Sequence, residues 1–242
     1  MDAIKTINLS KQYKNVLAVD SINLQIKEGE LFSLLGVNGA GKTTTIKMLS
    51  CLTRPTSGDA LICGHSILQN PTAIKNLIGV SPQETAVAPN LSVKENLELI
   101  CGIYGLSKTE TKQRLELLVD QFRLTEILSR NAGKLSGGYQ RRLSIAMALI
   151  SEPAILFLDE PTLGLDVIAR SELWDIIHKL KETTTIILTT HYMDEAEALS
   201  DRVGIMKDGK LLVVGTPKEL LEKTGTNRME NAFISIIQEA AQ

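Results

Sequence analysis

One stretch decides most of what this chain can become. "LFSLLG", Leu31 to Gly36, is an apolar run, interrupted only by Ser33, that closes on a glycine, and "GVNGAGKT" occupies Gly36 to Thr43. Such a run suits a strand buried on both faces, as in a parallel sheet. A helix is expected from about Thr43 to Leu52. Strand, glycine-rich turn and helix in that order satisfy G-x-x-x-x-G-K-[ST] in the context that gives the pattern meaning. Gly36, Gly39 and Gly41, with Asn38 and Ala40 between them, let backbone N–H groups turn inward around an anion. The helix start at Thr43 and Thr44 aims its positive end at the same place. Lys42 adds a mobile cation for β- and γ-phosphates, and the Thr43 hydroxyl is a ligand for Mg²⁺.

"AILFLDEP" supplies a second half. Asp159 ends an apolar strand, so its carboxylate emerges at the edge where open α/β sheets bind ligands. There it can hold Mg²⁺ through water. Glu160 follows at once, placed to orient and deprotonate an attacking water. Together the two motifs point to nucleoside triphosphate binding with hydrolysis.

Bulk properties narrow the field. The chain has 242 residues, 43% of them hydrophobic and 22% charged, as in an ordinary globular protein. A formal net charge of -2 and an aromatic content of 4% argue against nucleic acid as a partner. No apolar run approaches the roughly 18 residues of a bilayer span, and the first residues lack the apolar stretch of a signal peptide. A cytosolic location is expected. Cys51, Cys63 and Cys101 match no zinc or disulfide pattern and are expected as buried reduced thiols.

The periodicity gives one domain, 1–242, in three parts. Residues 1–83 and 152–223 alternate strands and helices and form an α/β core. The first segment reads as two or three antiparallel strands, followed by "ALICG" and "LIGVS". Residues 84–151 are helical, over Val93 to Gly102, Lys108 to Leu124 and Gly137 to Ser151, with Leu115, Leu118 and Phe122 on one face. After Pro153 come "AILFLD", a helix over Val167 to Glu182, "TTIILTT", and a hairpin turning at Asp208-Gly209. Residues 224–242 are a short amphipathic helical tail.

"GVNGAGKT", "LSGGYQ" (Leu135 to Gln140), "ILFLDE" and "TTH", in that order, resemble the ATP-binding cassette family, over nearly the whole chain. The resemblance implies a P-loop NTPase fold: a mainly parallel sheet, an N-terminal antiparallel β subdomain and an inserted helical subdomain. It implies two subunits paired head to tail, each ATP held between the phosphate loop of one and Ser136, Gly137 and Gly138 of the other. Two backbone N–H groups at a helix start plus a hydroxyl make a second anion nest, although a plain N-cap at Ser136 is the local alternative. The resemblance further implies that Gln83 links Mg²⁺ and attacking water to the helical lobe, and that His191 contacts the γ-phosphate. Asp166 would lie in the loop crossing the dimer interface, though it also suits a helix cap. Tyr13 would place its ring against adenine, though it also suits a strand. Two positions depart from the family pattern. Tyr139 replaces the usual glutamine after the glycine pair, and Leu163 replaces a small polar residue.

The activity implied is hydrolysis of ATP with Mg²⁺, by a peripheral subunit held on the cytoplasmic face of the membrane by a separate transmembrane permease. "LSVKENLELICGIYGLS" and "MENAFISII" resemble the branch that drives multidrug, lipid or polysaccharide export. A solute-import subunit is expected to carry an extra regulatory domain after the core. The rival is a soluble ATPase of DNA repair, chromosome structure or translation, which would show coiled-coil insertions, basic surfaces or two cassettes. A module that senses ATP without hydrolysing it would not need Glu160.

Overall fold

The computed structural model describes residues 1–240. The first strands are β1 (Asp2–Tyr13), β2 (Val16–Ile22) and β3 (Gln25–Lys27), followed by β4 (Leu31–Leu35) and α1 (Lys42–Leu49). Next come β5 (Ser57–Ile62), β6 (His65–Ser66), α2 (Pro71–Lys75) and β7 (Ile78–Ser81). The helical region holds α3 (Val93–Ile103), α4 (Lys108–Gln121) and α5 (Gly137–Ala148). The α/β alternation then resumes with β8 (Ile155–Asp159), α6 (Val167–Leu180), β9 (Thr185–Thr190) and α7 (Met193–Leu199). The hairpin β10 (Arg202–Lys207) and β11 (Lys210–Gly215) precedes α8 (Pro217–Thr224) and α9 (Met229–Glu239). Of the expected C-terminal tail, positions 241 and 242 lie outside the described residues.

Two sheets organise these elements. β1, β2, β3, β5 and β6 form an antiparallel sheet. The larger sheet runs β11-β10-β4-β9-β8-β7, parallel except for the β10–β11 hairpin. Its strands carry apolar residues on both faces because both faces are covered. Leu156, Leu158, Ile186 and Leu188 face the helices, while Ile155, Phe157 and Ile187 face α1 and the antiparallel sheet.

The helical region shares its core with the parallel sheet. Val93, Leu97, Leu115, Leu118 and Phe122 belong to one apolar cluster with Leu156, Leu173 and Leu188. Four helices stop short of the expected ends: α4 at Gln121, α5 at Ala148, α6 at Leu180 and α1 at Leu49. For the first two, Arg123 (φ 54°) and Glu152 (φ 50°) lie in the left-handed region just beyond, which ends helical hydrogen bonding. Cys101 is buried as expected, but Cys51 and Cys63 are only half-buried. Each lies in a turn just after an element, at φ 58° and 47°, rather than within a packed element. Burial pushes all three thiols above their ordinary range.

The strand order decides what meets at the carboxyl edge of the sheet. Leu35 is paired with Thr190, Asp159 with Thr189, and Ser81 with Leu158. The chain segments leaving β4, β9, β8 and β7 therefore start side by side: the phosphate loop, His191, Glu160 and Gln83.

Candidate active site

The phosphate loop is built by close backbone packing. Gly41 has φ 102°, and a Cβ there would lie 2.4 Å from the Ala18 carbonyl oxygen of β2. Gly36 is equally constrained, since a Cβ would stand 2.6 Å from the Met206 carbonyl oxygen of β10. The hairpin turn supports the loop from behind, with the Gly209 N–H donating to the Ala40 carbonyl at 3.1 Å. Lys42 folds back over the loop, its Nζ donating to the carbonyls of Gly36 (2.7 Å) and Val37 (3.2 Å).

The acidic pair is held from β9. The Thr43 hydroxyl donates to Asp159 at 3.0 Å, and the Thr189 hydroxyl donates to the same oxygen. Thr189 also accepts from the Glu160 N–H, through its carbonyl and its hydroxyl, both at 3.1 Å. These bonds hold Glu160 at φ 48°, a conformation that costs a non-glycine residue roughly 1–3 kcal/mol and is concentrated at functional sites. The Glu160 carboxylate then reaches Lys42 Nζ at 3.5 Å and His191 Nδ1 at 3.2 Å. The histidine contact has hydrogen-bond length but not direction, and Nδ1 is buried without an aligned partner. Burial pulls the Lys42 ammonium below its ordinary range, with Glu160 and then Asp159 opposing the shift.

These residues surround a cleft of about 470 Å³, lined by Asn38, Gly39, Ala40, Gly41, Lys42, Thr43, Thr44, Gln83, Glu160 and His191, with Ala18 and Leu163. A larger groove of about 700 Å³ lies between α3 and α4, but none of its lining residues belongs to these loops. The cleft suits a triphosphate: inward N–H groups, a helix start and one buried ammonium. The hydroxyl of Thr43 and the carboxylate of Asp159 are hard oxygen donors 3.0 Å apart, and with the Gln83 amide they fit Mg²⁺, which takes few protein ligands beside phosphate oxygens and water. Among the described residues no cluster of three or more His, Cys, Asp or Glu could hold a metal alone.

Five of the residues singled out in the sequence stand apart from the cleft. Ser136 and Gly137 are exposed and Gly138 is half-buried at the start of α5. Ser136 has the backbone of an N-cap (φ -62°, ψ 158°), yet its side chain makes no capping bond. Asp166 does cap α6, accepting from the N–H groups of Ile168 and Ala169 at 2.9 Å each. Tyr13 is exposed at the end of β1, with Lys11 Nζ 5.0 Å from its ring centre, and does not line the cleft.

Sequence reading missed several functional contacts. Ala18 carries no motif signal of its own, and although Thr189 lies in "TTH" and Leu163 departs from the family pattern, neither signals the contact it makes here. Gln140, one place later than the usual glutamine, is occupied within the chain: its Nε2 donates to the carbonyls of Ala132 (3.1 Å) and Leu135 (3.3 Å) and so shapes the loop before Ser136. Arg141 is buried and donates from its two terminal nitrogens to the carbonyls of Pro82 and Gln83, each at 2.6 Å.

A model of the ABC transporter family matches residues 19–163. Over 226 residues the chain is 40% identical to the daunorubicin/doxorubicin resistance ATP-binding protein DrrA of Streptomyces peucetius, covering 93% of this chain and 68% of that protein. It is 38% identical over 242 residues to the probable multidrug ABC transporter ATP-binding protein YbhF of Escherichia coli K12, covering 98% of this chain but 42% of that one. A solved ATP-binding subunit of an ABC transporter superposes with a TM-score of 0.86 at 28% identity, covering 97% of this chain and 99% of that one. A dimeric post-hydrolysis state of the ATP-binding cassette MJ0796, bound to ADP and Pi, gives 0.80 at 30% identity, covering 88% and 98%. The sequence motifs, the sheet order and the cleft agree with these likenesses: the chain belongs to the ABC transporter family and is an ATP-hydrolysing cassette of it.

Proposed function

We propose that two such cassettes, identical or closely related, close head to tail on two MgATP and drive a separate membrane permease, in the export direction. The observation that carries this reading is the separation of two half-sites on one chain. Lys42, Glu160 and His191 converge on one cleft, while Ser136 and Gly137 present free backbone and hydroxyl groups elsewhere. Val37 within the phosphate loop and Val167 and Ile168 beside Asp166 are exposed apolar side chains, 51%, 73% and 73% accessible, as a face awaiting a partner would have.

In this reading the γ-phosphate lies between Lys42 and His191, and Glu160 takes a proton from the attacking water. Lys42 and His191 stabilise charge as it develops on the phosphoryl oxygens. Thr43, Asp159 and Gln83 would hold Mg²⁺, which when bound neutralises the β- and γ-phosphate oxygens. The Tyr13 ring offers adenine an exposed stacking face. Loss of the γ-phosphate removes the bridge between subunits.

The permease would dock beyond Gln83. There a mostly apolar cleft of about 420 Å³ is lined by Leu52, Val80, Ala86, Ile100, Ile103, Tyr104 and Met147, among others. Leu52 and Ile103 on its rim are 66% and 69% accessible. Among the described residues no helix is long and apolar enough to cross a membrane. The two named relatives are a drug-resistance and a probable multidrug protein, which supports the exporter branch. Purification of the tagged protein from solubilised membranes tests the reading: a polytopic membrane protein is expected with it, and nucleic acid or ribosomes would overturn transport in favour of a soluble ATPase.

A further inference from the structure

We propose that Arg141 is a positioning residue that couples the two nucleotide sites of the sandwich, by tying the helix that would meet the partner's ATP to the loop that carries Gln83. The proposal rests on the head-to-tail reading above. Arg141 lies one turn along α5 from Gly137, so its backbone follows any movement of the helix start. Its side chain is 5% accessible, and its terminal nitrogens hold two successive carbonyls, of Pro82 and Gln83, at 2.6 Å each. A planar fork fixes orientation as well as distance, which a lysine ammonium cannot do.

The tie is one rung of a continuous contact. At the next turns of α5, Ser144 Oγ lies 3.0 Å from Ser81 Oγ, and a Cβ on Gly79 would stand 2.3 Å from the Ala148 carbonyl oxygen. Positions 141, 144 and 148 share one helical face. They track positions 82–83, 81 and 79 along β7 and its exit, so α5 and β7 behave as one lever. Only its Arg141 end reaches the cleft, because Gln83 lines the cleft and Ser81 and Gly79 do not. Seating of a partner's γ-phosphate on Ser136 to Gly138 would thus be felt at the Gln83 amide, which in that reading would help hold Mg²⁺. Each subunit would set its own Gln83 only when its α5 is engaged, and the two sites would fire together.

A double-mutant cycle tests this. ATPase kcat, its Hill coefficient in ATP, and MgATP affinity at monomeric concentration are measured for the wild type, Arg141→Gln, Gln83→Ala and the double variant. Arg141→Gln is expected to lower kcat roughly five- to tenfold and move the Hill coefficient toward one, with nucleotide affinity within about twofold of wild type. Arg141→Lys should recover part of the loss. In the Gln83→Ala background the Arg141 change should cost little more, because both act through one group. An unchanged kcat, or losses that simply multiply, would overturn the proposal, since a plain structural strut gives additive effects. Should Arg141→Gln fold poorly by thermal melting, Arg141→Lys takes its place in the same cycle. Sizing of a Glu160→Gln form with MgATP separates the two levels. No pairing sinks the sandwich and this proposal with it, whereas pairing with an additive cycle sinks this proposal alone.

Discussion

Lys42 Nζ and Glu160 Oε1 stand 3.5 Å apart with both side chains buried. The cation proposed to meet the phosphates and the carboxylate proposed to meet the water are thus held as a pair. Glu160 is one of the groups that keep the Lys42 ammonium protonated against burial.

Replacing Glu160 with Gln should remove the base while keeping shape. Turnover is expected to fall by about 10²–10⁴-fold. MgATP should still bind, and the variant should accumulate as an ATP-bound pair in light-scattering measurements. Normal phosphate release would show that another group activates the water.

Gly137→Ala should separate stability from function. A Cβ there meets only Leu165 Cδ2 at 3.8 Å, an ordinary contact, and the position is helical. The melting temperature should therefore stay the same or rise slightly. Pairing with MgATP and ATPase activity should be lost, because the new methyl stands where a phosphate would approach the backbone. Retained activity in a normally folded variant would count against the second anion nest.

Two glycines of the phosphate loop should respond unequally. Gly39 has φ 83° with nothing within 4 Å of an added Cβ, so Gly39→Ala should cost only the left-handed backbone strain, about 1–2 kcal/mol. Gly41→Ala adds a collision with the Ala18 carbonyl and should cost about 2–5 kcal/mol. Denaturant melts of the two variants give the comparison, and equal costs would mean that β2 does not support the loop.

Glu195 should make stability depend on pH. It is fully buried on α7, its carboxylate accepts from Trp174 Nε1 at 3.1 Å, and burial raises it above the ordinary carboxylate value of 4.5. Between 4.5 and the raised native value the folded chain holds a proton that the unfolded chain has released. Stability present below 4.5 is therefore lost as pH rises through that window. Glu195→Gln keeps an acceptor for Trp174 and cannot titrate. Its melting temperature should gain on the wild type as pH is raised, and parallel curves would refute the assignment.

The local sequence was sufficient for every element whose cause is local. The phosphate loop was legible because Gly39 and Gly41 take positive φ within one short turn, and the buried strands because apolar runs such as "AILFLD" suit a sheet covered on both faces. Helix ends were less legible, since a single left-handed residue such as Arg123 stops a helix without a distinctive side chain. The local capping signal also pointed two ways: Asp166 does cap its helix, whereas the Ser136 side chain does not.

Tertiary structure alone decided which side chains meet. Nothing near Ala18 in the chain marks it as a wall of the phosphate cleft, and Gly41 leans on it only because the antiparallel sheet is laid against the loop. Thr189 holds both Asp159 and Glu160 because β9 lies between β4 and β8, an order no short window encodes. Arg141 reaches Gln83 across 58 positions of sequence for the same reason. Backbone requirements are written residue by residue, but the partner of a buried polar group is chosen by whichever distant carbonyl the packing of helices on the sheet brings within reach.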